Sequence, residues 1–390
     1  MSSRKKLHNY TITLAAKGPV FVGSGQTVSK KDTLWLYKED KVYILDPKKM
    51  YNGLKEKGLL PEYQKYLLDH KQKNFIDFIN NNSDKLDLRI CKSWAAYTVS
   101  GELGRINSAK GKRNMYNIDT FMKDPYGCPY IPGSSLKGAL RTVITGARII
   151  SDRGRFSDKK YKIETEKMIK RERKKYLLHT ERGISQSLFY TLKRDREKLH
   201  NAVNDVFSGM RISDSKPLST DDLIICGKYD VNTNGEGKSL PLRRECIKPG
   251  TKIEFTMEID EEMMQISGDE ILSCTDMFYA DYYDGFLSAF PKIDNTNGTE
   301  GHVLLIGGGA GYASKTTVYP LYDKFDSEGN KSNDDAVKAV QNVMVNTAGF
   351  HKHGNDLAYH GVSPRVRKCA KIGSDVYDMG LCEIEIVDKG

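Results

Sequence analysis

Residues 129–144 read PYIPGSSLKGALRTVI, a turn of Pro132 and Gly133 that hands over directly to an amphipathic segment. Leu136, Leu140, Val143 and Ala147 recur at i, i+4, i+7 and i+11, which is one face of a 3.6-residue helix and therefore a buried face. Ser134 stands where an N-cap is expected. Lys137, Arg141 and Arg148 run beside the stripe, and cations in the opening turns oppose the helix macrodipole. Either they form the solvated edge of an ordinary helix, or they face an anion. In the second case the N–H groups of Gly133, Ser134 and Ser135, backed by Lys137 and Arg141, make a phosphate cradle. Because both cations flank the apolar stripe, reversing their charge is expected to leave the helix folded. Gly138 costs about 1 kcal/mol against alanine inside a helix, which points to close approach by another backbone.

Outward from this segment the chain alternates strand and helix patterns without tandem repeats. Residues 9–22 alternate as a first strand running into a small loop, Gly23-Ser24-Gly25, suited to backbone approach by a ligand. Strands are expected at 33–37 and 41–45, and Asp46-Pro47 gives the N-cap and N1 order that opens a lysine-rich helical region over about 48–80. Residues 100–124 are polar, glycine-containing and aperiodic. Read as a long loop, they carry Arg105, Lys110, Lys112 and Arg113 near Tyr116 and Phe121, a mixture suited to single-stranded nucleic acid or equally to a solvated loop. Between Ser151 and His200 sixteen Lys or Arg stand against eight Asp or Glu. The segment EKMIKRERKKYLL (166–178) reads there as a helix, either an exposed insertion or an RNA contact.

Met210 and Ile212, then Leu223–Tyr229 and Lys252–Ile259, restore strand patterns, with VNTNGEGKSLPLRREC (231–246) read as the turn between the last two. Residues 269–290 are an amphipathic helix whose Phe278, Tyr282, Phe286 and Phe290 are spaced as a core stripe. His302–Ile306 is a strand feeding a second glycine loop, 331–347 a helix, and Ser374–Val387 a closing strand. The expected organisation is an N-terminal lobe, 1–220, with helical insertions at about 48–90 and 151–205, and a C-terminal α+β lobe, 221–390, bearing the glycine-rich loop.

A chain of 390 residues, 38% hydrophobic, can bury a substantial core, and its apolar runs fall well short of the roughly 20 residues a membrane span needs. Lys17 and Pro19 interrupt the stretch after the basic Arg4–Lys6, so no signal peptide is expected. Seven cysteines, odd in number and without a C-x-x-C pair, fit a reducing cytoplasm better than a disulfide scaffold. The net charge of +10 favours a polyanionic partner.

IPGSSLKGALR resembles the signature of the RAMP superfamily of CRISPR RNA-binding proteins. PVFVGSGQ (19–26), GMRISDSKPL (209–218), LRRECIKPGTKIEF (242–255), GGGAGYASKT (307–316), VSPRVRK and MGLCEIEI extend the resemblance over nearly the whole chain. In this order they are similar to one branch of it, the fifth subunits of the Csm complex, the type III-A CRISPR effector. The resemblance implies an α+β RAMP fold with a ferredoxin-like (RRM-like) core and large insertions. It implies a non-catalytic subunit that binds the 3′ portion of the guide RNA (crRNA), caps the backbone filament and supports crRNA 3′-end maturation in antiviral defence. The implied partners are crRNA, a neighbouring RAMP backbone subunit, target RNA, the small helical subunit and host nucleases. No membrane, cofactor or metal is implied. Residues matching family motifs and placed to touch RNA are Gly23, Ser24, Gly25, Gly133, Ser134, Ser135, Lys137, Arg141, Gly307, Gly308, Gly309, Gly311, Lys315 and Arg365. A RAMP ribonuclease, acting on guide or target RNA, and a different RAMP backbone subunit are the alternatives.

The remaining motifs do not carry an enzyme. GAGYASKT (309–316) has Ser314 where a phosphate-binding loop needs glycine before its lysine, and β-branched residues with Pro320 follow where a helix should start. His351 and His353 lack a third metal ligand nearby other than Asp356, with His360 further on. Asp119, Asp124 and Asp214 are acids in flexible places, but no spacing singles one out as catalytic.

Overall fold

The computed structural model describes residues 7–69, 74–101, 116–167, 176–293, 300–325, 328–329, 332–348 and 352–390. In chain order, strands β1 (Leu7–Ala16), β2 (Gly23–Val28), β3 (Thr33–Leu36) and β4 (Lys41–Leu45) precede four short helices, α1 (Pro47–Glu56), α2 (Leu60–Leu68), α3 (Phe75–Asn81) and α4 (Leu88–Ser93). Next come β5 (Ala95–Ser100), β6 (Ile118–Phe121), α5 (Gly133–Ser151), α6 (Ser157–Thr165), α7 (Leu178–Phe189), β7 (Met210–Ile212), β8 (Leu223–Asn232) and β9 (Gly237–Ile247). The remainder is β10 (Lys252–Asp260), α8 (Gly268–Gly285), β11 (Val303–Leu305), α9 (Asp334–Thr347), α10 (Asp356–His360), β12 (Val366–Ile372), β13 (Asp375–Asp378) and β14 (Leu381–Asp388).

Two sheets result. The first has the lateral order β11-β14-β1-β10-β7 with every neighbouring pair antiparallel. Its members β1, β7, β10 and β14, with α5 and α8 between them, follow the β-α-β-β-α-β order of a ferredoxin-like unit. The strict alternation of β1 and β10 explains the placement: Ile12, Leu14, Ile253 and Phe255 turn to one side and are buried, as are Leu136, Leu140 and Ile144 of α5. Each such side chain contributes about 1.5–3 kcal/mol when fully buried. On the opposite face Arg211 pairs with Glu258, Lys216 with Glu254 and Lys17 with Glu383.

The second sheet runs β2-β6-β9-β8-β5-β4-β3, with the β12–β13 pair attached to β8. Buried Glu245 on β9 ties it together by accepting from the Tyr97 hydroxyl, the Phe121 amide and Lys123. Helices α1–α4 pack a separate core on β3 and β4 around Trp94, Tyr66, Phe75 and Phe78. Asp46 caps α1 by accepting from the Lys49 amide, with Pro47 at N1, as the sequence predicts.

Several boundaries differ from expectation. The first strand stops at Ala16 because the Lys17 and Gly18 amides turn to the Leu381 carbonyl and Pro19 has no N–H to continue the ladder. Gly23-Ser24-Gly25 is the start of β2, not a free loop. Only 233–236 form the turn before β9, which contains Arg243 and Arg244. The expected closing strand is two strands broken at Met379-Gly380, where Gly380 has φ +79° and lies against the Ile306 carbonyl. The 100–124 loop ends in a real strand, β6, while Arg105, Lys110, Lys112 and Arg113 lie outside the described residues. Most of EKMIKRERKKYLL (168–175) also lies outside them, and Leu177 has φ +58° just before α7 begins. The helix of 269–290 ends at Gly285, yet its aromatic stripe is buried as expected.

The start of α5 is fixed by contact with β7. A Cβ on Gly133 would stand 2.3 Å from the Ile212 carbonyl oxygen and 2.4 Å from that of Ser213, whereas one on Gly138 would meet nothing within 4 Å. Gly133→Ala is expected to cost about 3 kcal/mol, the upper end of overpacking penalties, seen as a lower urea midpoint. Gly138→Ala should raise that midpoint by improving helix propensity.

Candidate nucleic-acid interface

Three glycine- and serine-rich segments, far apart in sequence, meet in one cleft of about 340 Å³. Val22 and Gly23 come from the start of β2, Ser135, Gly138, Ala139 and Thr142 from α5, and Gly307, Gly308, Ser314 and Lys315 from the loop after β11. Val143 of α5, Phe278 and Tyr279 of α8, and Val303 and Leu305 of β11 complete the lining.

Backbone chemistry closes the cleft. The Gly308 amide donates to the Phe21 carbonyl at 2.6 Å, and Gly307, at φ +83°, comes so near that a Cβ would lie 2.3 Å from the same oxygen. Here only glycine fits, for both conformation and space. Lys315 donates to the Gly307 carbonyl, and loss of solvent around its ammonium pulls its pKa below the ordinary lysine value. Ser314 is buried and bonds back to Ala310 and Gly311, and the following segment forms only a short 3-10 turn at Tyr319–Leu321. The loop therefore lacks the helix of a nucleotide-hydrolysing phosphate loop.

Cations that sequence reasoning left out of the site pack against this loop. A Cβ on Gly309 would lie 2.6 Å from a guanidinium nitrogen of Arg244, and one on Gly311 2.9 Å from the Lys368 stem. Arg244 stacks over the Phe21 ring at 4.8 Å and stands 4.0 Å from Asp119. Lys368 pairs with Asp230 at 2.7 Å. Burial, then the charges of Lys368 and Arg244, pull the pKa of half-buried Lys228 down, against the opposing pull of Asp230. The signal for Arg244 lay in LRREC, but it was read as part of a turn.

Other predicted residues sit elsewhere. Ser24 bonds Thr120 across the β2–β6 pair at 2.7 Å, and Gly25 is exposed at φ +80°. Pro132, not Ser134, occupies the N-cap position of α5, and exposed Ser134 makes no cap. The Gly133 amide is taken at 2.9 Å by the Asp214 carboxylate, so the anion at this helix start is the chain's own. Lys137 donates to the Met210 carbonyl at 2.7 Å, and burial lowers its pKa. Arg141 pairs with Asp205 and bonds Ser185, each at 2.7 Å, with its guanidinium 5.0 Å and 4.6 Å from the Phe189 and Phe207 ring centres. Arg365 donates to the Lys352 carbonyl and does not line the cleft.

The candidate acids and histidines are also engaged. Asp124 accepts from the Tyr126 and Cys128 amides, and Asp119 accepts from the Thr27 hydroxyl. His353 is buried, not solvated, and hydrogen-bonds Asp356 at 2.6 Å, while His360 lies 3.4 Å from the Thr233 hydroxyl; His351 is outside the described residues. Among the described residues, no three metal-capable side chains gather, and no helix is long and apolar enough to cross a membrane.

The family model of the RAMP superfamily matches residues 13–342. The chain belongs to the RAMP superfamily and, within it, to the Csm5 proteins. It is 30% identical to the CRISPR system Cms protein Csm5 of Streptococcus thermophilus, over 79% of each chain. With Csm5 of Mycobacterium tuberculosis (strain ATCC 25618 / H37Rv) it shares 28% identity over 97% of this chain and 98% of that one. Its fold is similar to a chain in the cryo-EM structure of a Csm–crRNA–target RNA ternary complex of a type III-A CRISPR–Cas system, with TM-score 0.62 and 19% identity, over 96% of this chain and 100% of that chain. The crystal structure of T. onnurineus Csm5 gives TM-score 0.56 at 19% identity, over 95% and 99%.

The partners of Arg141 overturn the expectation that charge can be reversed there without structural cost. Arg141→Ala should cost about 2 kcal/mol, because Asp205 loses its partner and two rings lose a cation, and Lys137→Glu with Arg141→Glu should cost more. A urea titration followed by circular dichroism measures both.

Proposed function

We propose that this chain is a guide-RNA-binding subunit of a type III-A Csm complex and that the cleft carries the RNA backbone. The observation behind this reading is the meeting of three small-residue segments at one cleft, with Lys315 lining it and Arg244 and Lys368 beside its glycine loop. Small residues let a ribose-phosphate chain approach, and cations supply its counter-charge. The names of the Csm5 relatives and the complex that contains a structural neighbour agree with it.

In the finer form of the proposal, the subunit holds the 3′ portion of the crRNA, caps the backbone filament beside a neighbouring RAMP subunit, and supports 3′-end maturation. Its setting is the cytoplasm. Target RNA, the small helical subunit and host nucleases are the further partners. The subunit is non-catalytic in this reading, since Asp119, Asp124 and Asp214 are spent on a strand contact, a turn and a helix cap. The contacts are to phosphates, so sequence preference should be weak.

Purified chain titrated with single-stranded RNA should lose affinity linearly in log salt, by about 0.7 per phosphate neutralised. Arg244→Ala and Lys368→Ala should each make that slope shallower by about one such unit. The RNA should remain uncut with and without divalent metal. A flat salt response would remove the RNA-binding reading, and metal-independent or metal-dependent cleavage would favour the ribonuclease alternative.

A further inference from the structure

The cleft has an interior that phosphate binding leaves unused. Lys315 and Ser135 bring polar groups to it, whereas Val22, Val143, Val303 and Leu305 give it apolar walls and Tyr279 a half-buried ring. Its volume is at the small end of sites that take organic ligands, room for one heterocycle and not for a stack of them.

Gly138 shows that the described residues do not fill this room. Three glycines of α5 can be compared. A Cβ at Gly133 would strike the β7 backbone and one at Gly146 would stand 2.3 Å from the Phe278 ring, so packing within the chain accounts for both. Gly138 faces the cleft with nothing within 4 Å of its Cβ position and without a left-handed backbone. The helix loses about 1 kcal/mol there relative to alanine, and no contact among the described residues offsets it. The free space over Gly138 is explained by an occupant from outside.

We infer that the cleft receives a single nucleobase of the bound RNA strand, with the attached ribose-phosphate held by Lys315 and the Gly307–Gly308 loop. The inference deepens the RNA-binding reading and rests on it. A base suits the site because it is flat and apolar on its faces yet polar at its edge, where the hydroxyls of Ser135 and Tyr279 can hydrogen-bond. The basic group beside the loop makes a polyanion carrying such bases a better occupant than an apolar side chain from another protein.

The test compares the binding of two fluorophore-labelled strands, a short oligouridylate and the same ribose-phosphate backbone without bases, by full-length chain. Wild type should prefer the base-bearing strand by about tenfold, near the low end of what one stacked base contributes. Gly138→Leu fills the cleft from α5 and should abolish that preference, and Thr142→Leu, one turn on, should do the same. Arg244→Ala should weaken both strands by one common factor and keep the preference. Equal wild-type affinity for the two strands overturns base insertion while RNA binding stands, as does a preference that survives Gly138→Leu and Thr142→Leu in folded protein. If both leucine variants weaken the two strands alike, the cleft carries backbone only and the inference also fails. Wild type that binds neither strand would instead remove the RNA-binding reading itself.

Discussion

The hydrogen bond from the Gly308 amide to the Phe21 carbonyl joins the segment after β1 to the loop after β11, and the cleft exists because of it. It does not act alone. The Gly380 amide donates to the Pro19 carbonyl at 2.8 Å and the Ile306 amide to the Gly380 carbonyl at 2.9 Å, so three remote stretches are laced by backbone groups only. Each such bond contributes about 1 kcal/mol net, too little to hold these stretches together by itself. Their importance is positional, because they set the loop at a fixed height over α5, and side-chain substitution elsewhere hardly alters them.

Among the described residues, the first sheet and the glycine loop differ in how far their cations are neutralised. On the open face of the first sheet Arg211, Lys216 and Lys17 each have a glutamate. Arg244 and Lys368, beside the glycine loop, have Asp119 and Asp230 near them, and Lys228 adds a third positive charge to this group, a balance that burial makes more costly. The cleft lies at the edge of the ferredoxin-like sheet, against its outer strand β11.

What could be read from the sequence follows from the range of the interactions involved. Helix α5 and the aromatic stripe of α8 were legible because periodicity is local, and Asp46-Pro47 because a cap needs only three residues. The glycine segments were legible as small-residue runs, though not their meeting, which depends on β14 pairing with β11 on one side and, across nearly the whole chain, with β1 on the other. Lys137 and Arg141 looked free because the groups that hold them, Met210 and Asp205, lie on a distant segment. Arg244 was misplaced because Asn234-Gly235 and Pro241 read as one broad turn, whereas the turn ends at Glu236 and β9 accommodates the proline.

The central strand of the first sheet is made early and completed late. Tyr10 of β1 pairs on one side with Met257 and on the other with Asp388. At a synthesis rate of about 5–20 residues per second, β1 waits on the order of tens of seconds for its second neighbour. During that time its Ile12 and Leu14 face has no complete layer to cover it, and its unpaired edge is open to wrong strands. The helical lobe on β3 and β4 has a core of its own from short-range contacts and can organise in the meantime. Assembly of the cleft is therefore a late event in the life of the chain, and a ribosome that stalls before β14 leaves a product with a formed satellite core and no site.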